Sequence, residues 1–196
     1  MNSAVLTEEF TDGKKKEYAH FVENLGTHVR FSENKWICDK LRRSPAEGTH
    51  SFALYFTKIP EQYREIVKYF SAIRIINGIV IGTVMVDVTN LNKFLDFLTV
   101  NYNAVGLNMC DESVAAMFYQ YLEESRLAET TKGRIWTSVI TLFKTMNGWN
   151  DEYFKNPFLI SPYSPQRKFD DMYIPENVAL QLDNIFKMDE IALHLR

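Results

Sequence analysis

The chain has 196 residues, of which 46% are hydrophobic and 24% charged, and its formal net charge is −3. This composition excludes an intrinsically disordered chain and allows one large domain or two small ones, each with a hydrophobic core. The N-terminal region lacks the basic start and apolar run of a signal peptide. The longest apolar stretch, residues 75–86, is shorter than the roughly 20 residues that span a bilayer. We therefore expect a soluble, cytoplasmic protein without a membrane partner.

The charged residues are grouped in blocks along the chain. Residues 30–74 hold nine Lys and Arg against five Asp and Glu, and residues 126–170 hold seven against four. Residues 75–125, which lie between them, hold one basic residue and six acidic ones. A surface built from the basic blocks could bind phosphate although the total charge is negative. This distribution permits a nucleic-acid partner and does not by itself indicate one.

The N-terminal residues predict a small α/β module. Apolar residues recur at helical spacing up to Leu25, and Gly26 is a typical helix end. The stretches 27–41 and 51–56 have strand character and are separated by a loop rich in turn-forming residues. We predict that this module spans residues 1–57. The cysteines Cys38 and Cys110 show no CxxC spacing, which predicts reduced thiols and no zinc site.

Four amphipathic segments follow, each with apolar residues at three- and four-residue spacing. They predict a mainly α fold, in which a compact four-helix bundle occupies residues 58–150. The residues predicted to begin the helices are Pro60, Thr83, Asp111 and either Thr130 or Thr131.

A change in composition follows the bundle. Asn156-Pro157-Phe158 and the prolines Pro162 and Pro165 exclude a continuous helix, so residues 151–173 are predicted to form an extended linker. Ile174-Pro175-Glu176 then opens a last amphipathic helix, which has no partner among the remaining residues. We therefore expect residues 174–196 to begin a further domain that is truncated here.

The stretch from Thr57 to Phe186 resembles the front half of the tyrosine recombinases, which include phage- and transposon-type integrases. The N-terminal residues Lys35–Cys38 and Phe56–Pro60 are similar to those of transposon-encoded relatives. The segments that carry the main resemblance are Leu91–Leu98, Tyr119–Ser125, Thr130–Arg134, Asn156–Phe158 and Tyr173–Val178.

The resemblance implies a fold and a function. The four helices would form the SAM-like core-binding domain, which clamps duplex DNA at a recombination site, and residues 174–196 would begin the catalytic domain. The family's catalytic Arg, Lys, His and Tyr residues cannot be placed in this chain, so we expect no strand cleavage by this region. The whole protein would use a Tyr nucleophile, with no metal or nucleotide cofactor.

The resemblance also implies partners and a location. The whole protein would self-associate in a synaptic complex on paired DNA sites, whereas this region alone would be monomeric. Its location would be the bacterial cytoplasm, associated with the nucleoid.

The candidate DNA-binding residues are exposed polar and basic positions. Outward spacing on the fourth helix selects Thr130, Arg134, Thr137, Thr141 and Lys144, and the positive end of that helix adds Thr131 and Lys132. Further candidates are Thr83 and Lys93 on the second helix, Arg167 and Lys168 in the linker, and Arg42 and Arg43 in the N-terminal module. For each of these residues the alternative is an ordinary solvated surface.

Two other functions remain open at the level of the sequence. The first is a helical protein-interaction module without nucleic-acid binding, which the negative net charge and the acidic run from Asp87 to Glu124 favour. The second is a small enzyme of unknown type, which is disfavoured because no nucleophile, phosphate-loop or dinucleotide motif occurs.

Overall fold

In a computed structural model the chain divides into two compact units, Met1–Ser164 and Pro165–Arg196. The structure describes residues 12–27, 29–41, 52–147, 155–158, 160–163, 178 and 180. Within these ranges the first unit is mainly α, as the sequence predicted. Its elements are α1 (Asp12–Glu23), β1 (Lys35–Ile37), β2 (Ala53–Tyr55), α2 (Glu61–Ile76), α3 (Ile81–Asn101), α4 (Glu112–Glu124) and α5 (Glu129–Asn147).

The N-terminal part combines α1 with a short antiparallel sheet of β1 and β2, in which Trp36 lies opposite Leu54. Strand structure in the first predicted stretch is confined to β1, because residues 30–33 form a turn closed by a bond from Glu33 N–H to the Arg30 carbonyl. The buried ammonium of Lys68 on α2 donates to the Ser32 carbonyl at 3.0 Å and holds that turn against the helix.

Hydrophobic packing continues across residue 57, where the sequence placed a domain boundary. Trp36 is fully buried, and its ring centroid lies 4.8 Å from that of Phe56, immediately before the boundary. Phe56 in turn belongs to the same buried cluster as Tyr63 and Phe70 of α2. The small sheet and the helices therefore share one core.

The directions of the helices follow from contacts near their ends. Gln62 bonds to Thr99, while Arg74 bonds to Asp87, so α2 and α3 run antiparallel. Phe118 of α4 packs against Phe94 of α3 at a centroid distance of 4.9 Å. The helices α2 to α5 thus surround a common apolar interior.

The predicted cap of α4 is confirmed. Asp111 Oδ1 accepts hydrogen bonds from the backbone N–H groups of Ser113 and Val114 at 3.0 and 3.1 Å. The Ser113 hydroxyl and these N–H groups also hold the pKa of Asp111 below its usual value. This cap was predictable because both partners lie within three residues of Asp111.

The predicted first residues of the other helices are shifted. Pro60 lies one residue before α2, and α5 begins at Glu129, so Thr130 and Thr131 lie in its first turn. The predicted cap Thr83 is wrong, because α3 begins at Ile81 and Thr83 is already inside the helix. A tight turn through Gly78, at φ 80°, brings the chain into the helix early.

The described part of the predicted linker packs on the helices. Phe158 is fully buried, with ring centroids 5.3 Å from Phe94 and 5.1 Å from Trp136. The Trp136 indole N–H donates to the Ile160 carbonyl at 3.2 Å, and the Tyr163 hydroxyl donates to Glu123 at 3.1 Å. The described residues of this segment, 155–158 and 160–163, are non-helical, as predicted, but they complete the core of the first unit.

We expect Phe158→Ala to lower the free energy of unfolding by about 3–5 kcal/mol, because it leaves a cavity among packed aromatic rings. Ile160→Ala is the matched control in the same segment: this side chain is 83% exposed, and its loss should change stability by less than about 0.5 kcal/mol. Urea denaturation followed by circular dichroism measures both values. Equal, small effects would show that the segment does not belong to the core.

Candidate nucleic-acid interface

The helices α3 and α5 run parallel to each other. Asp87, in the first half of α3, bonds to Ser138, in the middle of α5, at 2.9 Å, and farther along both helices the rings of Phe94 and Phe143 lie 6.1 Å apart. The two N-termini therefore lie at the same end. Each N-terminus carries unpaired N–H groups and a partial positive charge, so this end of the pair favours anions.

Most of the outward positions predicted on α5 are exposed in the structure. Ile135, Val139 and Leu142 are buried, and the opposite side of the helix faces solvent. Together with the exposed residues of α3, it forms what we call the α3/α5 surface. Its predicted members are Thr83, Lys93, Thr130, Thr131, Arg134, Thr137, Thr141 and Lys144, of which Thr131 and Thr141 are half-buried and the others exposed.

Three cations of this surface form no salt bridge within the part of the chain that the structure describes, although Lys93 lies near the carboxylate of Asp96. These cations, Lys93, Arg134 and Lys144, are all exposed. A cation in this state keeps its full charge for a phosphate group. These three residues are therefore the strongest phosphate-binding candidates on the surface.

Lys132, by contrast, is not free to bind phosphate. Its ammonium is buried and lies 3.0 Å from Glu129 and 3.1 Å from Glu123. The hydrogen bond that Lys132 donates to Glu129, followed by the one it donates to Glu123, raises the pKa of Lys132 above its usual value. Instead of facing a ligand, Lys132 fastens the first turn of α5 to α4, a role that depends on a residue nine positions away.

Two threonines of α5 are weaker candidates for phosphate binding than their hydroxyl groups suggest. Thr137 donates to the Gly133 carbonyl and Thr141 donates to the Thr137 carbonyl, both at 2.8 Å. A phosphate oxygen accepts hydrogen bonds and needs a donor. These hydroxyl hydrogens already serve the helix backbone, so both residues shape the surface rather than bind phosphate in this conformation.

A buried polar network joins α2, α3 and α5 beneath the surface. Arg74 forms a salt bridge with Asp87 at 3.2 Å, and the Ser138 hydroxyl lies 2.9 Å from Asp87 Oδ1 and 3.0 Å from the Arg134 carbonyl. Asn90 Nδ2 donates to Ser138 Oγ at 3.0 Å. Asp87 and Ser138 are both buried.

Sequence reasoning missed this network, although a signal was present. Asp87 and Ser138 interrupt the apolar stripes of α3 and α5 with polar side chains at buried positions. Because a buried polar group needs a hydrogen-bond partner, such interruptions indicate a partner on a neighbouring helix. The sequence could not show which residue the partner is.

The remaining predicted candidates lie outside the described residues. These are Arg42, Arg43, Arg167 and Lys168.

The reactive groups of the described residues do not suggest catalysis. Cys38 and Cys110 are free thiols, and burial raises the pKa of each to about 12, which disfavours the nucleophilic thiolate. Within the same residues, no group of three or more His, Cys, Asp or Glu side chains could hold a metal ion. Nor does this part of the chain contain a helix both long and apolar enough to cross a membrane.

Comparison with known proteins does not assign a family. No family model, curated protein or solved structure matches the chain. The resemblance to the tyrosine recombinases therefore stays a prediction, and the function has to be inferred from the α3/α5 surface itself.

We expect Ser138→Ala to lower the free energy of unfolding by about 1–3 kcal/mol, because it removes the hydroxyl that bonds to Asp87 Oδ1 and accepts from the Asn90 amide, while Asp87 keeps only its salt bridge to Arg74. Thr137→Ala is the control: its exposed hydroxyl donates to the Gly133 carbonyl of the same helix, and its loss should cost less than about 0.5 kcal/mol. Chemical denaturation measures both. A Ser138→Ala variant as stable as Thr137→Ala would show that the network does not hold the helices together.

Proposed function

We propose that the chain binds duplex DNA through the α3/α5 surface, as the core-binding part of a site-specific tyrosine recombinase. The observation that carries the proposal is the parallel arrangement of α3 and α5. It places two positive helix ends at one end of a surface along which Lys93, Arg134 and Lys144 are exposed. The helices α2 to α5 would then be the SAM-like bundle that the resemblance implies.

The distribution of charge supports this assignment. The acidic residues nearest the N-terminal ends are neutralised within the protein, since Asp87 pairs with Arg74 and Glu129 pairs with Lys132. Lys93, Arg134 and Lys144 form no salt bridge with a residue that the structure describes. A chain with a net charge of −3 can therefore present a locally positive surface, which is what phosphate contacts require.

The proposed function of the helices α2 to α5 is DNA binding alone. Strand cleavage would belong to the catalytic domain. In a tyrosine recombinase, cleavage and self-association on paired sites depend on the catalytic domain, which the resemblance places after residue 173. The proposal therefore assigns no catalytic residue, metal or nucleotide cofactor to the described residues.

A protein-interaction module is the second candidate function. One side of α4 exposes the large side chains of Met117 and Tyr121, of which Met117 is 50% exposed. Glu124 adds negative charge to the same helix. Such a surface suits a protein partner, and this function predicts no affinity for duplex DNA.

We expect the protein to bind a random duplex of about 30 base pairs with an affinity that falls steeply as salt rises, because cation–phosphate contacts release counterions. Arg134→Ala/Lys144→Ala should lower the log–log slope by about 1–2. Fluorescence anisotropy over a salt series measures this. The matched control is Lys16→Ala/Arg30→Ala, which removes two exposed cations of the N-terminal part and should leave the slope unchanged.

Either of two results would contradict this prediction. Absence of binding even at about 50 mM salt, where phosphate contacts are strong, would remove the DNA-binding function and favour the interaction module. An equal fall in slope for both double variants would show that binding does not depend on the α3/α5 surface.

A further inference from the structure

Asn90 lies where the outward side of α3 meets α5. It follows Thr83 by seven residues and precedes Lys93 by three, so all three share one side of the helix. Thr83 and Lys93 are exposed, whereas Asn90 is half-buried because its amide nitrogen bonds to Ser138 of α5 at 3.0 Å. Asn90 therefore belongs both to the α3/α5 surface and to the buried network beneath it.

The network determines which way the Asn90 amide points. The Ser138 hydroxyl lies within bonding distance of Asp87 Oδ1 and of the Arg134 carbonyl, and both of these groups only accept hydrogen bonds. Whichever of them takes the single hydroxyl hydrogen, Ser138 Oγ has only lone pairs left for Asn90. The amide must therefore turn its NH₂ group toward Ser138 and its oxygen Oδ1 away from it.

The residues that orient the Asn90 amide, Ser138 and Asp87, are themselves fixed by burial and by a salt bridge. Asp87 is 8% exposed and Ser138 is 3% exposed, and Arg74 holds the Asp87 carboxylate from α2 at 3.2 Å. A surface asparagine without such support rotates freely and loses that freedom on binding. The Asn90 amide is oriented before a ligand arrives, which is typical of a residue that discriminates between ligands.

We propose that Asn90 reads an adenine base in the major groove of the bound duplex; this rests on the proposed function. Ser138 occupies one amide hydrogen, which leaves one hydrogen and the oxygen Oδ1. This donor–acceptor pair matches the N7 acceptor and the N6 amino donor of adenine. Guanine presents two acceptors, cytosine presents a donor, and thymine presents an acceptor and a methyl group, so none of these bases satisfies both atoms.

The experiment begins with duplexes enriched by the wild-type protein from a randomised library. Affinities for duplexes that carry each of the four base pairs at the selected positions are then measured by fluorescence anisotropy. The wild-type protein should prefer adenine at one position by about 5-fold or more. Asn90→Ala should bind all four base pairs at that position equally, while its affinity for random duplex changes by less than about twofold, since phosphate contacts remain.

Asn101→Ala is the matched control on the same helix. Asn101 is exposed at the C-terminal end of α3, and its amide donates to the Phe97 carbonyl at 2.9 Å. This variant should keep the wild-type preference. A second measurement needs no variant: 7-deazaadenine, which lacks the N7 acceptor, should weaken wild-type binding at the selected position and leave binding at other positions unchanged.

The outcomes separate this inference from the proposed function. An Asn90→Ala variant that keeps the adenine preference, or wild-type binding that is unaffected by 7-deazaadenine at every position, overturns the role of Asn90 while DNA binding stands. A wild-type protein that binds no duplex overturns the proposed function itself. If Asn90→Ala does not fold, the 7-deazaadenine result decides the question on the wild-type protein.

Discussion

The buried carboxylate of Asp87 is the constraint on which the arrangement of the helices depends. A charge at this depth is tolerated only when it is paired and hydrogen-bonded. Arg74 of α2 supplies the charge, and Ser138 of α5 supplies a hydrogen bond. Since Asp87 belongs to α3, one side chain holds three helices at a defined distance and register, and any other register would leave its charge unpaired.

The properties of the α3/α5 surface follow from this arrangement. Parallel packing of the two helices brings their N-terminal ends together, and pairing inside the protein neutralises the acidic groups near those ends. The ammonium of Lys132 also neutralises acidic groups inside the protein, because it binds Glu123 and Glu129. The α3/α5 surface thus exposes Lys93, Arg134 and Lys144 on a chain that is acidic overall. Such a local grouping of cations can attract anions although the net charge is negative.

Aromatic packing gives the first unit its second constraint. Phe158 enters a cluster of rings from α3, α4 and α5, and Trp136 binds the backbone of the same segment through its indole N–H. Burial of a Phe side chain and a satisfied indole donor both favour one position of the segment. The described residues 155–158 and 160–163 thus lie against the helices without being helical themselves.

The sequence by itself determined which segments are helical and which side of each is buried, because apolar spacing and caps such as Asp111 act over a few neighbouring residues. It therefore predicted most of the outward side of α5. Only the tertiary structure decided which polar residues are used inside the protein. Ser138 meets Asp87 across 51 positions, Lys132 meets a carboxylate of another helix, and Phe158 fills a core built elsewhere in the chain. Such contacts depend on the packing of segments that are far apart in the sequence. The pattern of residues within one segment does not show which distant residue will contact it.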